Sequence, residues 1–254
     1  MLLKDKKVLV GLTGGIACYK VPGLIRFLTK EGAAVRVMMT RAATKFITPL
    51  TLETVSNQPV AIEMFPESEF VSTRHIDLAE WPDLIVVAPA TANFLGKVAG
   101  GISDDLLTTI ICASPRPMLI APAMNPQMWA NAITQRNVGT LRQLGHFFAD
   151  PGEGEMACEQ YGVGRMAEPE QIYLAVKCLL LGKIEKRVLS GRKVVVTAGP
   201  TREPLDPVRY LSNYSTGKMG IALAQAAVLL GADTTIIYGP TGLMPPAGVR
   251  TVSI

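Results

Sequence analysis

At 254 residues the chain exceeds one typical domain and falls short of two average ones, so a complete domain with a smaller or partial partner is expected. Hydrophobic residues make up 48% and charged residues 18%, which suits a buried-sheet α/β enzyme rather than a solvated helical bundle. The net charge of +4 comes from scattered lysines and arginines with no basic stripe among aromatics, which argues against nucleic acid; four cysteines without Cys-x-x-Cys spacing and two histidines argue against a zinc site, so no metal is expected.

Taken in order, Val8 to Leu12 reads as a buried strand, Thr13 to Ala17 as a tight turn, and Ala17 to Lys30 as a helix closed by Gly32. Three lysines ahead of so short an apolar run make a strand, not a signal sequence, no stretch has the length of a membrane span, and the free thiols fit a reducing cytoplasm. Ala34 to Thr40 is the second strand, and Thr40-Arg41 opens a helix through Phe46. Asp83 to Pro89 is apolar throughout and reads as a central strand, followed by Ala90 to Asn93 and a helix from Phe94 to Ala99. A capped helix from Ser103 to Ala113 connects it to a fourth strand, Met118 to Ala121. Strand, helix, strand order calls for a parallel sheet with right-handed crossovers. Pro151 to Arg165 is a glycine-rich loop, and Glu168 to Leu181 a helix. The charged stretch Gly182 to Arg192 marks the boundary, giving domains 1–189 and 190–254. The second domain shows a strand at Lys193 to Thr197, a turn through Gly199-Pro200-Thr201, a helix from Lys218 to Leu230 and a strand from Thr234 to Tyr238, too little for an independent doubly wound domain.

Four segments carry candidate chemistry. The turn Gly11-Leu12-Thr13-Gly14-Gly15 could set backbone amides against a phosphate, or could simply be a sharp strand-to-helix turn. It lacks full Gly-x-Gly-x-x-Gly spacing, and Thr40-Arg41 stands where a dinucleotide site would place an acid, so a flavin mononucleotide is preferred to NAD. His75, in Arg74-His75-Ile76-Asp77-Leu78, is a candidate base on a short segment whose alternating Ile76 and Leu78 lead toward the sheet. Pro122 to Trp129 follows the fourth strand and carries the amide of Asn125, which can orient a carboxylate without a full ion pair; the alternative is a proline-stiffened helix entry with Asn125 as N-cap and Met128 and Trp129 in the core. Cys158 lies in a loop whose glycines and lack of periodicity suggest a flap, and its thiol could donate a proton or be a buried small hydrophobe.

Together, Pro122-Ala123-Met124-Asn125-x-x-Met128-Trp129, the His75 segment, Pro89-Ala90-Thr91-Ala92-Asn93 with Gly96 to Gly101, and the Cys158 flap resemble the flavin-dependent cysteine decarboxylases, specifically the phosphopantothenoylcysteine decarboxylases, over about residues 5 to 181. Ala198 to Glu203 and Ser212 to Gly220 resemble the start of phosphopantothenate–cysteine ligase, the layout of the bifunctional coenzyme A biosynthesis family. The resemblance implies a flavodoxin-like or Rossmann-like three-layer α/β flavoprotein domain followed by the first part of a second Rossmann-like domain. It implies FMN-dependent oxidative decarboxylation of 4′-phosphopantothenoylcysteine, with re-reduction of the enethiol to 4′-phosphopantetheine. His75 would be the base of the oxidative half, Asn125 would hold the carboxylate, and Cys158 would donate the proton in the reduction. Gly14, Gly15, Ile16, Thr40, Thr91, Ala92, Asn93, Phe94 and Ala123 would contact FMN; Asn125, Met128, Glu155, Met156 and Ala157 would contact substrate. The active site would be shared between subunits of a homo-oligomer, a trimer assembling into a dodecamer.

In the second domain the resemblance implies CTP and Mg, with Asn213 at the ligase site; the chain stops before the lysine-rich nucleotide motif, so no ligase activity is expected from these residues alone. The sequence departs from the decarboxylase pattern at Glu159, where the family has glycine after the flap cysteine. A flavin prenyltransferase and a non-catalytic regulatory flavoprotein are the alternatives on the same fold. Neither would be expected to need His75, Asn125 and Cys158 together.

Overall fold

The computed structural model describes residues 1–64, 74–155, 161–181, 188–243, 245, 246 and 249–254. They form two compact units, Met1–Leu181 and Gly182–Ile254. In the first, the elements run β1 Lys7–Leu12, α1 Val21–Lys30, β2 Ala34–Met39, α2 Pro49–Ser56, β3 Val60–Ala61, α3 Arg74–Glu80, β4 Leu84–Ala90, α4 Ala92–Ala99, α5 Leu106–Ala113, β5 Met118–Pro122, α6 Pro126–Ala130, α7 Ala132–Gln143, β6 Phe147–Phe148, β7 Gly152–Glu155, β8 Tyr161–Arg165 and α8 Pro169–Leu181.

Six strands make one parallel sheet in the order β3-β2-β1-β4-β5-β6. The continuous apolar runs have a simple cause, because both faces of the sheet are covered. Val8, Val10 and Leu12 of β1 with Leu84, Val86 and Ala88 of β4 enter one core, where Leu24, Ile25 and Leu28 of α1 and Ile172 and Val176 of α8 meet them. Leu9, Ile85 and Val87 point the other way, into a core closed by Leu78 of α3, Phe94 and Leu95 of α4, Leu107 and Ile110 of α5 and Leu141 of α7. The chain winds outward from β1 through β2 to β3, then returns to β4 on the opposite side of β1. The crossovers therefore diverge between β1 and β4, which opens a crevice at the carboxyl ends of these two strands.

Several local expectations are corrected. The segment around His75 is helix α3, not an extended lead-in: Leu78 and Ala79 are buried while Ile76 is exposed, a helical face that a five-residue alternation imitates. The α-helix after the glycine turn starts at Val21, behind a 3-10 turn at Ile16–Lys20, because Pro22 suits the first turn of a helix. Thr40-Arg41 leads into only a short 3-10 turn, Ala43–Lys45. In the glycine-rich loop the described residues form a two-stranded antiparallel ribbon, β7 with β8, and residues 156–160 lie outside the described residues.

The second unit contains β9 Lys193–Ala198, the antiparallel pair β10 Arg202–Pro204 and β11 Tyr210–Ser212, α9 Lys218–Leu229, β12 Asp233–Tyr238 and β13 Arg250–Ser253. Strands β13-β12-β9 form a parallel sheet on which α9 packs through Ala224. Gly220 permits that contact, since a Cβ there would sit 2.5 Å from the Cβ of Ala198 and 2.7 Å from the carbonyl oxygen of Thr197.

Candidate active site

The crevice is fastened by Thr13, the first residue beyond β1. Its buried hydroxyl donates to the Pro89 carbonyl at 2.7 Å and accepts from the Thr91 amide at 3.0 Å, while its own amide donates to Pro89 at 3.2 Å. One small side chain thus ties the β1 exit to the β4 exit. The β2 exit is tied in by the Thr40 amide, which donates to the Leu12 carbonyl at 3.0 Å. Gly14 then lies so close to the next loop that a Cβ would fall 2.5 Å from that of Ala42. Neither Gly14 nor Gly15 has a positive φ, so the missing side chain at Gly14 serves loop packing rather than a left-handed turn.

Two adjoining cavities occupy the crevice. The first, of about 720 Å³, is lined by Thr40, Ala42, Asn93 and Phe94, with Met39, Ile62, Met64, Leu106 and Leu107 as apolar walls. The second, of about 580 Å³, is lined by Gly15, Ile16, Lys20, Ala123, Asn125, Glu155 and Arg165. Gly14, Thr91, Ala92 and Met128 line both. All nine residues expected at the cofactor therefore line one or both cavities, and Asn125, Met128 and Glu155 line the second or both.

Thr91 has a structural duty as well, because its hydroxyl caps α4 by accepting from the Phe94 amide at 3.3 Å. Asn125 likewise has a structural duty, the N-cap that the helix-entry reading expects. Its side-chain oxygen caps α6 by accepting from the Gln127 amide at 2.8 Å, and the residue also lines the second cavity. Trp129 packs against the core as the helix-entry reading expects, whereas Met128 is 49% exposed and belongs to the cavity wall. The Met124 amide donates to the Gly164 carbonyl at 3.0 Å, which holds the β7–β8 ribbon against the Asn125 loop.

His75 is not brought to this site: it lies partly buried on α3 and is not among the residues lining either cavity of a single chain. Met156, Ala157 and Cys158 lie outside the described residues. Asn213 is exposed in the second unit and accepts from the Ser215 amide at 2.9 Å, a local turn.

Charged groups surround the cavities, and apart from Arg41, expected from the sequence as a cation at the β2 exit, sequence reasoning had not singled them out. At the first, Arg41 makes a fork with both carboxylate oxygens of Glu63, at 2.7 and 2.9 Å, and the hydrogen bond holds the Glu63 carboxyl below the usual carboxylate range. Lys97 sits between Asp104 at 2.7 Å and Asp105 at 3.2 Å; its hydrogen bond to Asp104 lowers that carboxyl in the same way. At the second, the buried Lys20 ammonium donates to Glu168 at 2.8 Å and to the Met166 carbonyl at 3.4 Å. These pairs span up to 148 residues of sequence, so local pattern gave no signal for them.

Glycine and hydroxyl loops around paired cavities at the switch point of a parallel sheet define a mononucleotide-binding α/β protein. The chain belongs to the flavoprotein family, whose model matches residues 2–180. The model described as "DNA/pantothenate metabolism flavoprotein C-terminal domain" matches residues 189–254. The chain is 48% identical to the coenzyme A biosynthesis bifunctional protein CoaBC of Vibrio cholerae over 252 residues, covering 99% of this chain and 62% of that protein. Among solved structures it resembles a PPC decarboxylase mutant complexed with pantothenoylaminoethenethiol, with 35% identity and a TM-score of 0.62 over 70% of this chain and 99% of the other. It also resembles the FMN-dependent cysteine decarboxylase SpaF, with 30% identity and a TM-score of 0.60 over 71% and 98% of the two chains. Among the described residues no helix is long and apolar enough to cross a membrane.

Proposed function

We propose that residues 1–189 form an FMN-dependent decarboxylase that converts 4′-phosphopantothenoylcysteine to 4′-phosphopantetheine. The observation that carries this reading is the shared wall of the two cavities, where Gly14, Thr91, Ala92 and Met128 separate the first from one holding Asn125. The residues present fit FMN. Met39, Ile62, Met64 and Phe94 supply apolar surface for a planar ring system, and the Gly14-Gly15 turn and Thr40 hydroxyl supply polar contacts for the remainder.

FMN, when bound, would supply a reversible hydride acceptor for the thiol-bearing carbon and with it a sink for the electrons released with CO₂. The chain's own residues do the rest. Asn125 orients the carboxylate so that its C–C bond breaks toward that sink, leaving an enethiolate. His75 would take the thiol proton in the oxidative half, and Cys158 would give a proton to carbon in the reductive half. Since His75 does not line a cavity of its own chain, the reading includes a homo-oligomer built on a trimer, in which a neighbouring subunit supplies His75 to the site. The chain spans 62% of the Vibrio cholerae relative. Residues 190–254 are accordingly read as part of a ligase domain that uses CTP and Mg, with Asn213 on its acyl-processing side.

Mass analysis of the product formed by the flavin-loaded chain from 4′-phosphopantothenoylcysteine tests this reading. The expected product has lost CO₂ and is saturated; substrate returned with its carboxylate intact rejects the proposal.

A further inference from the structure

The decarboxylase reading leaves open how the phosphate of the substrate is recognised, and the charges around the two cavities bear on this. Arg41 gives its fork to both oxygens of Glu63, Lys97 is held between two aspartates, and Lys20 is buried against Glu168. Arg165 differs. Among the described residues its ion pair is one contact of 3.3 Å to Glu168 Oε1, the oxygen that Lys20 already holds at 2.8 Å. A guanidinium has five N–H donors in a planar fork, so most of this one's donor capacity is uncommitted in that pair.

The backbone around Arg165 leaves room for a ligand. It ends β8 opposite Gly152, and its side chain runs beside Gly154, where an added Cβ would lie 3.6 Å from Nη1. The facing strand thus places no side chain over the guanidinium at either glycine. The side chain is 48% exposed and lines the same cavity as Asn125. The Met124–Gly164 hydrogen bond fixes the two backbones side by side, one residue before each of them.

We propose that Arg165 is a specificity-determining residue that binds the phosphate monoester of the substrate while Asn125 holds its carboxylate. The inference rests on the decarboxylase reading. A dianionic phosphate suits a bidentate guanidinium, whereas the uncharged amide of Asn125 suits a carboxylate that must lose its charge with CO₂. Glu168 has a second partner in Lys20 at 2.8 Å, so removing Arg165 is expected to leave that carboxylate paired.

The test compares kcat/KM of the flavin-loaded wild type, R165A and R165K on 4′-phosphopantothenoylcysteine and on pantothenoylcysteine, its unphosphorylated form, with bound flavin read by absorbance. Wild type is expected to prefer the phosphorylated substrate. R165A should lose about ten- to a hundredfold on that substrate, mainly through KM, the range of a charge-assisted hydrogen bond. It should leave the unphosphorylated substrate and the flavin content nearly unchanged, with R165K intermediate because lysine keeps the charge but not the fork. A wild type without preference, a preference that survives in R165A, or an equal loss on both substrates overturns the assignment. Should R165A fail to fold, an unchanged preference in R165K overturns it as well. A wild type inactive on both substrates rejects the decarboxylase reading itself.

Discussion

The two cavities share a wall and differ in how their charges are held. At the first, each lining cation is matched: Arg41 to both oxygens of Glu63, Lys97 to a pair of aspartates. At the second, Lys20 and Arg165 share one carboxylate oxygen, and Asn125 contributes an uncharged amide. The contrast suits a division of labour. A resident cofactor gains from a preformed, charge-balanced wall such as the first cavity has, whereas an anionic substrate reaching into the second gains from a guanidinium that makes one ion-pair contact among the described residues.

Removing the fastening between the β1 and β4 exits should have the largest structural effect. Thr13→Val keeps the shape of a buried side chain but leaves the Thr91 amide without its acceptor and the Pro89 carbonyl without the hydroxyl. Loss of about 1–3 kcal/mol of stability is expected, the usual cost of an unsatisfied buried donor. Denaturant unfolding measures this, and flavin affinity should fall in parallel; a fall in flavin affinity with wild-type stability would assign Thr13 to the ligand instead.

A smaller effect separates the cavities by pH. The carboxyls of Glu63 and Asp104 are lowered by hydrogen bonds from Arg41 and Lys97, so in this range the folded state binds fewer protons than the unfolded chain. Their contribution is fully present above the ordinary carboxylate values of about 4 and is lost as pH falls through the lowered ones. Thermal unfolding followed from pH 6 downward should show a drop at roughly pH 4 and below that is shallower in Glu63→Gln. An identical profile in that variant would show that the Arg41 fork adds nothing to the first cavity.

Much of this architecture was legible in the sequence. The apolar runs of β1, β2, β4 and β5 announced a sheet covered on both faces, and the glycine turn and Pro122-to-Trp129 segment announced where its crevice lay. The two-residue strands Val60–Ala61 and Phe147–Phe148 were not read as sheet strands, because two residues have no period. Helix α7 was also missed, since its inward residues Thr134, Val138 and Leu141 are set among polar neighbours. Within the site, the residues expected at the cofactor line the cavities while His75 does not, and the Thr13 fastening and the oxygen shared by Lys20 and Arg165 depend on segments brought together only by the fold. Asn125 shows why the competing readings of its segment could not be separated in sequence: the residue that caps α6 also lines the second cavity.

Asn125→Asp tests the division between the cavities most directly. Aspartate keeps the oxygen that caps α6 and replaces the amide with a charge that repels a carboxylate. Flavin stoichiometry and CO₂ release measured on the same sample should separate, with flavin bound as in wild type and CO₂ release lowered on the order of 100-fold or more, the range for a lost positioning donor. Flavin and turnover lost together, or CO₂ released at the wild-type rate, would contradict the account.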